Sequence, residues 1–239
     1  MADPTKRMDR AEIARRVERA EKLLQKGKTG EALDEYMQVL AEDPQNDNVR
    51  QMAADICLSL QRTAEAVKLL GELFERQIAA GENTRASLTY KKLARYTVPT
   101  SIQRVQFGQI LETSNRKLAL ETYESALEDL SKNGRQQDCL MVLKRLVALE
   151  PAEQNFLRLG ELCSQTGDKA GASAAFLKLA EMTESSGANA AQWFERAYTE
   201  DSTDTKIALG FGETGIGRQC LLETLLRLSL LPVPQGKHP

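Results

Sequence analysis

Residues 13 to 46, IARRVERAEKLLQKGKTGEALDEYMQVLAEDPQN, align without a gap to residues 153 to 186, EQNFLRLGELCSQTGDKAGASAAFLKLAEMTESS. Both stretches are 34 residues long, and small and large apolar residues recur at the same places in each. Four corresponding pairs carry the match: Gly27 with Gly167, Ala32 with Ala172, Tyr36 with Phe176, and Val39 with Leu179. Self-similarity at a period of about 20 to 50 residues is typical of repeat architectures, so this alignment decides the fold.

The rest of the chain follows the same pattern with varying fidelity. Two further units, 47–80 and 120–152, carry apolar residues at the matching positions: Ala54, Cys57, Ala66, Leu70, Tyr123, Ala126, Leu130, Cys139, Leu143 and Leu146. Residues 82–119 form a degenerate third unit, for which the pattern predicts helices over 85–99 and 101–114. A sixth unit opens with NAAQWFERAYTED, but we expect its second helix to be lost in the glycine-rich KIALGFGETGIG that follows.

The recurring residue set resembles the tetratricopeptide repeat over about residues 10 to 205. That family places a large apolar residue at position four, Leu-Gly at seven and eight, Ala at twenty, an aromatic residue at twenty-four and Pro at thirty-two. Here Phe156, Leu159 and Gly160 take the first of these places in one unit, and Pro44 takes the last in another. The resemblance implies an all-α solenoid of about six antiparallel helix pairs in a right-handed superhelix, with first helices lining a concave groove and second helices on the outer wall.

The repeat register divides the chain into a lead-in at 1–12, an array at 13–213 and an atypical tail at 214–239. The units of the array lie near 13–46, 47–80, 82–119, 120–152, 153–186 and 187–213. In the tail, four leucines share one helical stripe and predict a helix that caps the last repeat: Leu221, Leu222, Leu225 and Leu226. The alternative is that the chain is a shortened or altered version of a longer repeat protein.

Composition and charge exclude several classes of function. The 32 Lys and Arg residues nearly balance 34 Asp and Glu residues, so we expect no nucleic-acid partner. The leucine tract is too short to span a bilayer and the charged N-terminus is no secretory signal, so we expect a cytoplasmic protein without a membrane span. The four cysteines form no CxxC pair and are expected to be buried, reduced thiols: Cys57, Cys139, Cys163 and Cys220. Because His238 is the single histidine, no catalytic triad, metal site or cofactor is predicted.

Two glycine motifs match nucleotide-binding loops only in part. Residues 27–29 are Gly-Lys-Thr, but Lys22 stands where a phosphate-binding loop needs its first glycine, and a charged helix replaces the required strand. We interpret the triplet as a turn in which Gly27 ends one helix and Thr29 caps the next. GFGETG, at 210–215, fits the dinucleotide fingerprint literally, yet no strand-loop-helix-strand unit surrounds it.

In the tetratricopeptide family, the second, fifth, ninth and twelfth positions of first helices point into the groove. The resemblance selects eight candidate partner-binding residues: Glu21, Gln51, Asp55, Glu121, Glu124, Glu128, Leu157 and Glu161. If Leu93-Ala94 is the seventh-eighth pair of the third unit, Lys91 and Arg95 join them. Because most of these residues are acidic, we hypothesise a groove that favours a basic or mixed-charge peptide. The alternative is a solvated surface without a partner.

The sequence thus predicts a non-enzymatic protein-interaction scaffold or adaptor that binds a peptide or helix in its concave groove. The Lys and Asn set with which some family members bind the carboxylate tail of chaperones is missing, since Val17 and Glu21 occupy two of its places. The alternative, from a different class, is a regulatory or substrate-docking fragment of a larger enzyme or assembly. Its other parts would lie on another chain or would have been lost from the C-terminus. Neither interpretation predicts an oligomeric state.

Overall fold

A computed structural model describes residues 10–186, 189–215 and 217–219. Within these ranges the chain is α-helical without a β-strand, and its helices follow one another in consecutive packed pairs. The predicted all-α repeat of helix pairs is therefore confirmed. The chain divides into two compact units, and the division falls between Ala126 and Leu127.

The first unit contains six helices and the beginning of a seventh. Their bounds are α1 (Arg10–Gln25), α2 (Thr29–Glu42), α3 (Asp47–Ser59), α4 (Thr63–Ala79), α5 (Asn83–Leu93), α6 (Ser101–Leu111) and α7 (Arg116–Lys132). Small residues let α1 and α2 pack closely, since Ala20 and Ala32 are both fully buried. Tyr36 on α2 and Cys57 on α3 are also fully buried and extend the same core.

The second unit contains the end of α7 and the remaining helices. Their bounds are α8 (Gln136–Leu149), α9 (Glu153–Thr166), α10 (Lys169–Ser185), α11 (Ala191–Glu200) and α12 (Thr205–Glu213). Gly160 on α9 lies against the ring of Phe176 on α10, where a Cβ atom at Gly160 would come within 2.7 Å of the ring carbon Cε1. The guanidinium carbon of Arg196, on α11, lies 4.1 Å from the centre of the same ring.

The turn between α1 and α2 shows what the Gly-Lys-Thr triplet does. Gly27 has a φ of 73°, in the left-handed region that glycine adopts without a Cβ penalty, and it lies two residues after the end of α1. Gly167, its counterpart in the repeat, has a φ of 79° at the end of α9. The predicted cap is wrong, however, because Lys28 occupies the N-cap position of α2 without a side-chain cap bond, and Thr29 is already helical.

The third pair has the predicted number of helices with shorter bounds. Helix α6 starts at a capping box, in which the Thr100 hydroxyl accepts from the backbone N–H of Gln103 and the Gln103 side chain accepts from that of Thr100. The Leu93-Ala94 register is wrong, because Ala94 is exposed while the small eighth position of a repeat is buried. The buried stripe of α5 consists of Ala86, Thr89, Tyr90 and Leu93.

The sixth pair corrects a second expectation, since the glycine-rich segment after residue 205 forms helix α12. The Asp204 carboxylate accepts from the backbone N–H groups of Lys206 and Ile207 and caps this helix. Gly210 lies where a Cβ atom would overlap the ring of Phe194 on α11. Close helix packing at the glycine thus outweighs its low helix propensity.

The sequence also predicted buried cysteines and a capping helix near the C-terminus. Cys57, Cys139 and Cys163 are buried free thiols, as predicted. Cys220, His238 and the predicted capping helix, with Leu221, Leu222, Leu225 and Leu226, lie outside the described residues. Among the helices that are described, none is both long and apolar enough to cross a membrane.

Candidate partner-binding surface

Helices α1, α3 and α5 of the first unit each expose one large apolar side chain. Leu24 on α1 is 36% exposed, Met52 on α3 is 41% exposed and Leu88 on α5 is 64% exposed. A contiguous patch of exposed apolar side chains is typical of a contact surface, whereas a single exposed apolar side chain is ordinary. Two cavities lie beside these three residues.

The first of them, the Tyr36 cavity, has a volume of about 370 Å³ and lies between α1, α2 and α3. Its lining combines three apolar side chains, two carboxylates, an amide and a phenol: Leu24, Met52, Ile56, Glu21, Asp55, Gln25 and Tyr36. No lysine or arginine belongs to this lining, so the cavity presents negative charge beside apolar surface.

The second, the Lys92 cavity, has a volume of about 270 Å³ and lies between α3, α4 and α5. Its lining residues are Gln51, Leu70, Leu73, Gln77, Arg85, Leu88, Thr89 and Lys92. At its wall the Thr89 hydroxyl donates to Gln77 Oε1 at 2.7 Å, a bond between two buried side chains that fixes both. In contrast to the Tyr36 cavity, this one presents positive charge.

An ion pair connects the two cavities, because Lys92 Nζ donates to Asp55 Oδ1 and each partner lines one cavity. The pair joins α3 to α5 on the face that also bears Met52 and Leu88. Since the Asp55 side chain is 48% exposed, this bond contributes little to stability. Its effect is to place a positive charge next to two carboxylates along one surface.

The sequence-predicted residues are spread over both units and nearly all are exposed. Glu21 and Asp55 meet in the Tyr36 cavity, and Gln51 lies in the Lys92 cavity. Lys91 and Arg95 are exposed and belong to neither lining.

Helices α7 and α9 carry the other predicted residues. Glu121, Glu124 and Glu128 are exposed on α7, where Glu128 forms an ion pair with Lys132 one turn away. In the second unit Leu157 is half-buried, and the Glu161 carboxylate lies 3.6 Å from Arg196 Nη1.

The residues of this surface that escaped the sequence analysis include Leu24, Tyr36, Met52, Leu88 and Lys92. The repeat pattern places Tyr36 in the core and says nothing of its hydroxyl. Lys92 was missed because the register of the third unit was wrong, although it is the next residue after Lys91. Leu24 and Met52 carry no sequence signal that separates them from core residues, since their exposure is decided by the packing of three helices.

Burial raises the pKa of Tyr36 above that of free tyrosine, and the nearby negative charge of Glu21 raises it further. Burial likewise raises the pKa of Cys57, so this thiol stays protonated and is a poor nucleophile. Among the described residues, no group of three or more His, Cys, Asp or Glu side chains is placed to hold a metal ion.

A different cavity, of about 500 Å³, lies between the second helices α2 and α4. Met37 is the exposed methionine of its lining and, like Met52, is 41% exposed. Around it the charges are of both signs, with Arg50 and Lys68 beside Glu65 and Glu72. The second helices therefore carry a cavity of their own, with an exposed methionine that can be compared with Met52.

Consecutive pairs of packed helices with recurring small residues at their contacts define a helical-repeat protein. Residues 23–77, from the end of α1 into α4, match the family model of the tetratricopeptide repeat. This match is to the family that the residue pattern of the sequence resembles. This fold supports protein–protein interaction scaffolds in general, and its members are typically non-enzymatic.

Solved structures with partial similarity include three with long alignments. MamA is 15% identical, with 93% of this chain and 98% of that chain covered and a TM-score of 0.27. BtubC from P. vanneervenii is 13% identical, with 96% and 94% covered and a TM-score of 0.37. YrrB, a tetratricopeptide protein described as having an unusual peptide-binding site, is 17% identical, with 80% and 88% covered and a TM-score of 0.31. No curated protein matches the sequence.

Proposed function

We propose that this chain is a non-enzymatic scaffold that binds a basic or mixed-charge peptide or helix of a partner protein on the first-helix face of its first unit. The observation that carries this proposal is the pair of neighbouring cavities joined by the Asp55–Lys92 ion pair. Each cavity has room for a side chain, and the ion pair between them provides hydrogen-bonding groups for the segment that connects two such side chains.

Apolar contacts supply the affinity in this proposal. Covering Leu24, Met52 and Leu88 would remove apolar surface from water, which stabilises a complex by about 25 cal/mol for each Å² buried. Helices or extended peptides are recognised in this way when apolar anchors alternate with polar contacts. Losses of rotational and side-chain freedom offset part of that gain, so a short peptide is expected to bind in the micromolar range.

Charge supplies the selectivity. Glu21 and Asp55 line one cavity, and Glu121 and Glu124 add exposed carboxylates on α7 of the same unit. Like charges reject an acidic competitor, whereas a basic segment is attracted and oriented. The Lys92 cavity adds the opposite charge at one end, which favours a mixed-charge segment over a purely basic one.

The other predicted residues extend the proposal. Lys91 and Arg95 provide further positive charge on or just after α5. In the second unit, Glu128, Leu157 and Glu161 form a separate candidate contact set. The proposal includes a cytoplasmic location and a protein partner. It includes no nucleic-acid partner, which the near balance of 32 basic and 34 acidic residues supports.

Substitutions of two methionines of equal exposure test which surface binds the peptide. Peptides would first be selected on the immobilised wild-type chain from a random library, and their affinities would be measured by fluorescence anisotropy. Met52→Lys places a cation in the acidic Tyr36 cavity and should weaken a selected basic peptide at least about tenfold. Met37→Lys makes the same change on the second helices and should leave the affinity unchanged.

The opposite ranking of the two variants would move the contact to the second helices and refute the proposal. If the library yields no basic or mixed-charge peptide at all, the charge argument fails. Stable co-purification with a single catalytic subunit, together with unchanged peptide binding in Met52→Lys, would favour a docking fragment of an enzyme.

A further inference from the structure

The hydroxyl of Tyr36 has no hydrogen-bond partner among the described residues, although the side chain is fully buried. Such groups are rare in folded proteins, because a buried polar atom loses its bonds to water without replacement. Tyr123, which is equally buried, shows the usual arrangement, since its hydroxyl donates to Glu112 Oε1 at 2.5 Å. The unpaired hydroxyl of Tyr36 is therefore a feature to be explained.

Helix packing does not require this hydroxyl. Phe176 takes the corresponding place in the repeat, is 1% exposed and fills its position with a bare ring. A phenylalanine at residue 36 would provide the same ring without an unsatisfied polar atom. A buried group that serves no packing purpose and has no internal partner points to a partner outside the chain.

The surroundings of Tyr36 indicate the chemistry of that partner. Tyr36 lines the Tyr36 cavity together with the carboxylates of Glu21 and Asp55 and the amide of Gln25. Within the described part of the chain, Glu21 forms no ion pair, while Asp55 is already bonded to Lys92. The cavity thus gathers acceptor oxygens of four side chains. Asp55 is paired with Lys92 from outside the lining, and the lining itself contains no cation.

We infer that the Tyr36 cavity binds the guanidinium group of an arginine in the partner, which deepens the proposed function and rests on it. The guanidinium N–H groups donate to Glu21, to the Gln25 amide oxygen and to the Tyr36 hydroxyl oxygen, while its flat faces pack against Leu24 and Met52. Arginine suits this site better than lysine because it is planar, carries five donors and is more weakly hydrated than an ammonium group.

Blocked amino acids test the site without a known partner. The probe is N-acetyl-arginine amide, and the neutral control of nearly the same shape is N-acetyl-citrulline amide. With methionine methyl groups labelled by ¹³C, the Met52 methyl resonance should shift on titration with the arginine compound, with a dissociation constant on the order of millimolar. The Met37 resonance, on the second helices, should stay in place.

Three variants assign the contacts. Tyr36→Phe removes one hydroxyl and should weaken the arginine probe about tenfold, as expected for a lost hydrogen bond to a charged group. Glu21→Gln should weaken it by a similar factor, whereas Glu18→Gln should not. Glu18 lies one turn earlier on the same helix. Its carboxylate accepts from Lys22 Nζ, and it does not line the cavity. An unchanged or raised thermal midpoint in Tyr36→Phe shows that the fold is intact, since no internal bond of the hydroxyl is lost.

The inference is overturned if the arginine probe leaves Met52 unshifted, if citrulline shifts it equally, or if Tyr36→Phe binds as tightly as wild type. Equal binding of N-acetyl-lysine amide would also overturn it, because a point charge would then suffice. These outcomes are separable from the proposed function, which is tested by the library selection and by the Met52→Lys and Met37→Lys variants. Peptide binding that depends on Met52 but not on Tyr36 would sustain the scaffold and remove the arginine site.

Discussion

Gly160→Ala adds one methyl group to a close contact between α9 and α10 in the second unit. The new Cβ atom would lie 2.7 Å from Cε1 of Phe176 and 3.0 Å from Cδ1 and Cζ. Carbon atoms pack best at about 3.5 to 4.0 Å, so the ring would have to retreat by roughly 1 Å. It has little room to do so, since Phe176 is 1% exposed and the Arg196 guanidinium covers its face at 4.1 Å.

Two opposing terms set the size of the effect. Overpacking of this kind costs about 1 to 3 kcal/mol, while replacing glycine by alanine inside a helix gains about 1 kcal/mol. Gly30→Ala isolates the second term, because Gly30 is helical and a Cβ atom there has nothing within 4 Å. The difference in unfolding free energy between the two variants should therefore be about 1 to 3 kcal/mol, with Gly160→Ala the less stable.

Urea denaturation followed by far-UV circular dichroism measures that difference. With a slope of about 2 kcal/mol per molar urea, the midpoints of the two variants should differ by roughly 0.5 to 1.5 M. Trp193, the only tryptophan of the chain, lies in the second unit and reports its unfolding by fluorescence. In a Phe176→Leu background the ring is gone, so Gly160→Ala should lose its penalty. If Gly160→Ala stabilises the chain as much as Gly30→Ala does, the close contact is not there.

Two other substitutions address the core and the charged surface. Tyr36→Ala should lower the free energy of unfolding by about 3 to 5 kcal/mol, because it removes a fully buried aromatic ring, and a denaturation midpoint near that of wild type would refute the repeat register. Reversing Glu121, Glu124 and Glu128 to lysine should abolish binding of a basic peptide while the helical circular dichroism is kept, and an unchanged affinity in the anisotropy assay would show that these charges do not contribute.

The helix pairs could be predicted from the sequence because their contacts use small and aromatic residues that recur at a fixed spacing. Ala32 and Tyr36 recur as Ala172 and Phe176, and these side chains are buried where the spacing places them. Helix α12 could not be predicted in this way. Its glycines suggest a broken helix until the ring of Phe194 is seen against Gly210, a contact between residues on different helices.

The candidate surface was less accessible to sequence reasoning for a related reason. Glu21, Gln51 and Asp55 follow from the repeat register and do line cavities. Lys92 follows only from the true register of α5, which depends on Thr89 and Tyr90 being buried against neighbouring helices. A residue position that is counted from a repeat motif is only as accurate as the alignment of that motif. The third unit has the least regular motif.

Tyr36 combines a role in core packing with the proposed role in binding. Its ring belongs to the core that holds α1, α2 and α3 together, and the residue also belongs to the lining of the cavity between them. Removing the whole side chain therefore tests stability and binding at once and cannot assign a loss of binding to either. Tyr36→Phe separates them, because it keeps the ring that Phe176 shows to be sufficient for packing. If binding falls in this variant while stability holds, the unsatisfied hydroxyl has a function in recognition, and the small stability cost of burying it has a physical explanation.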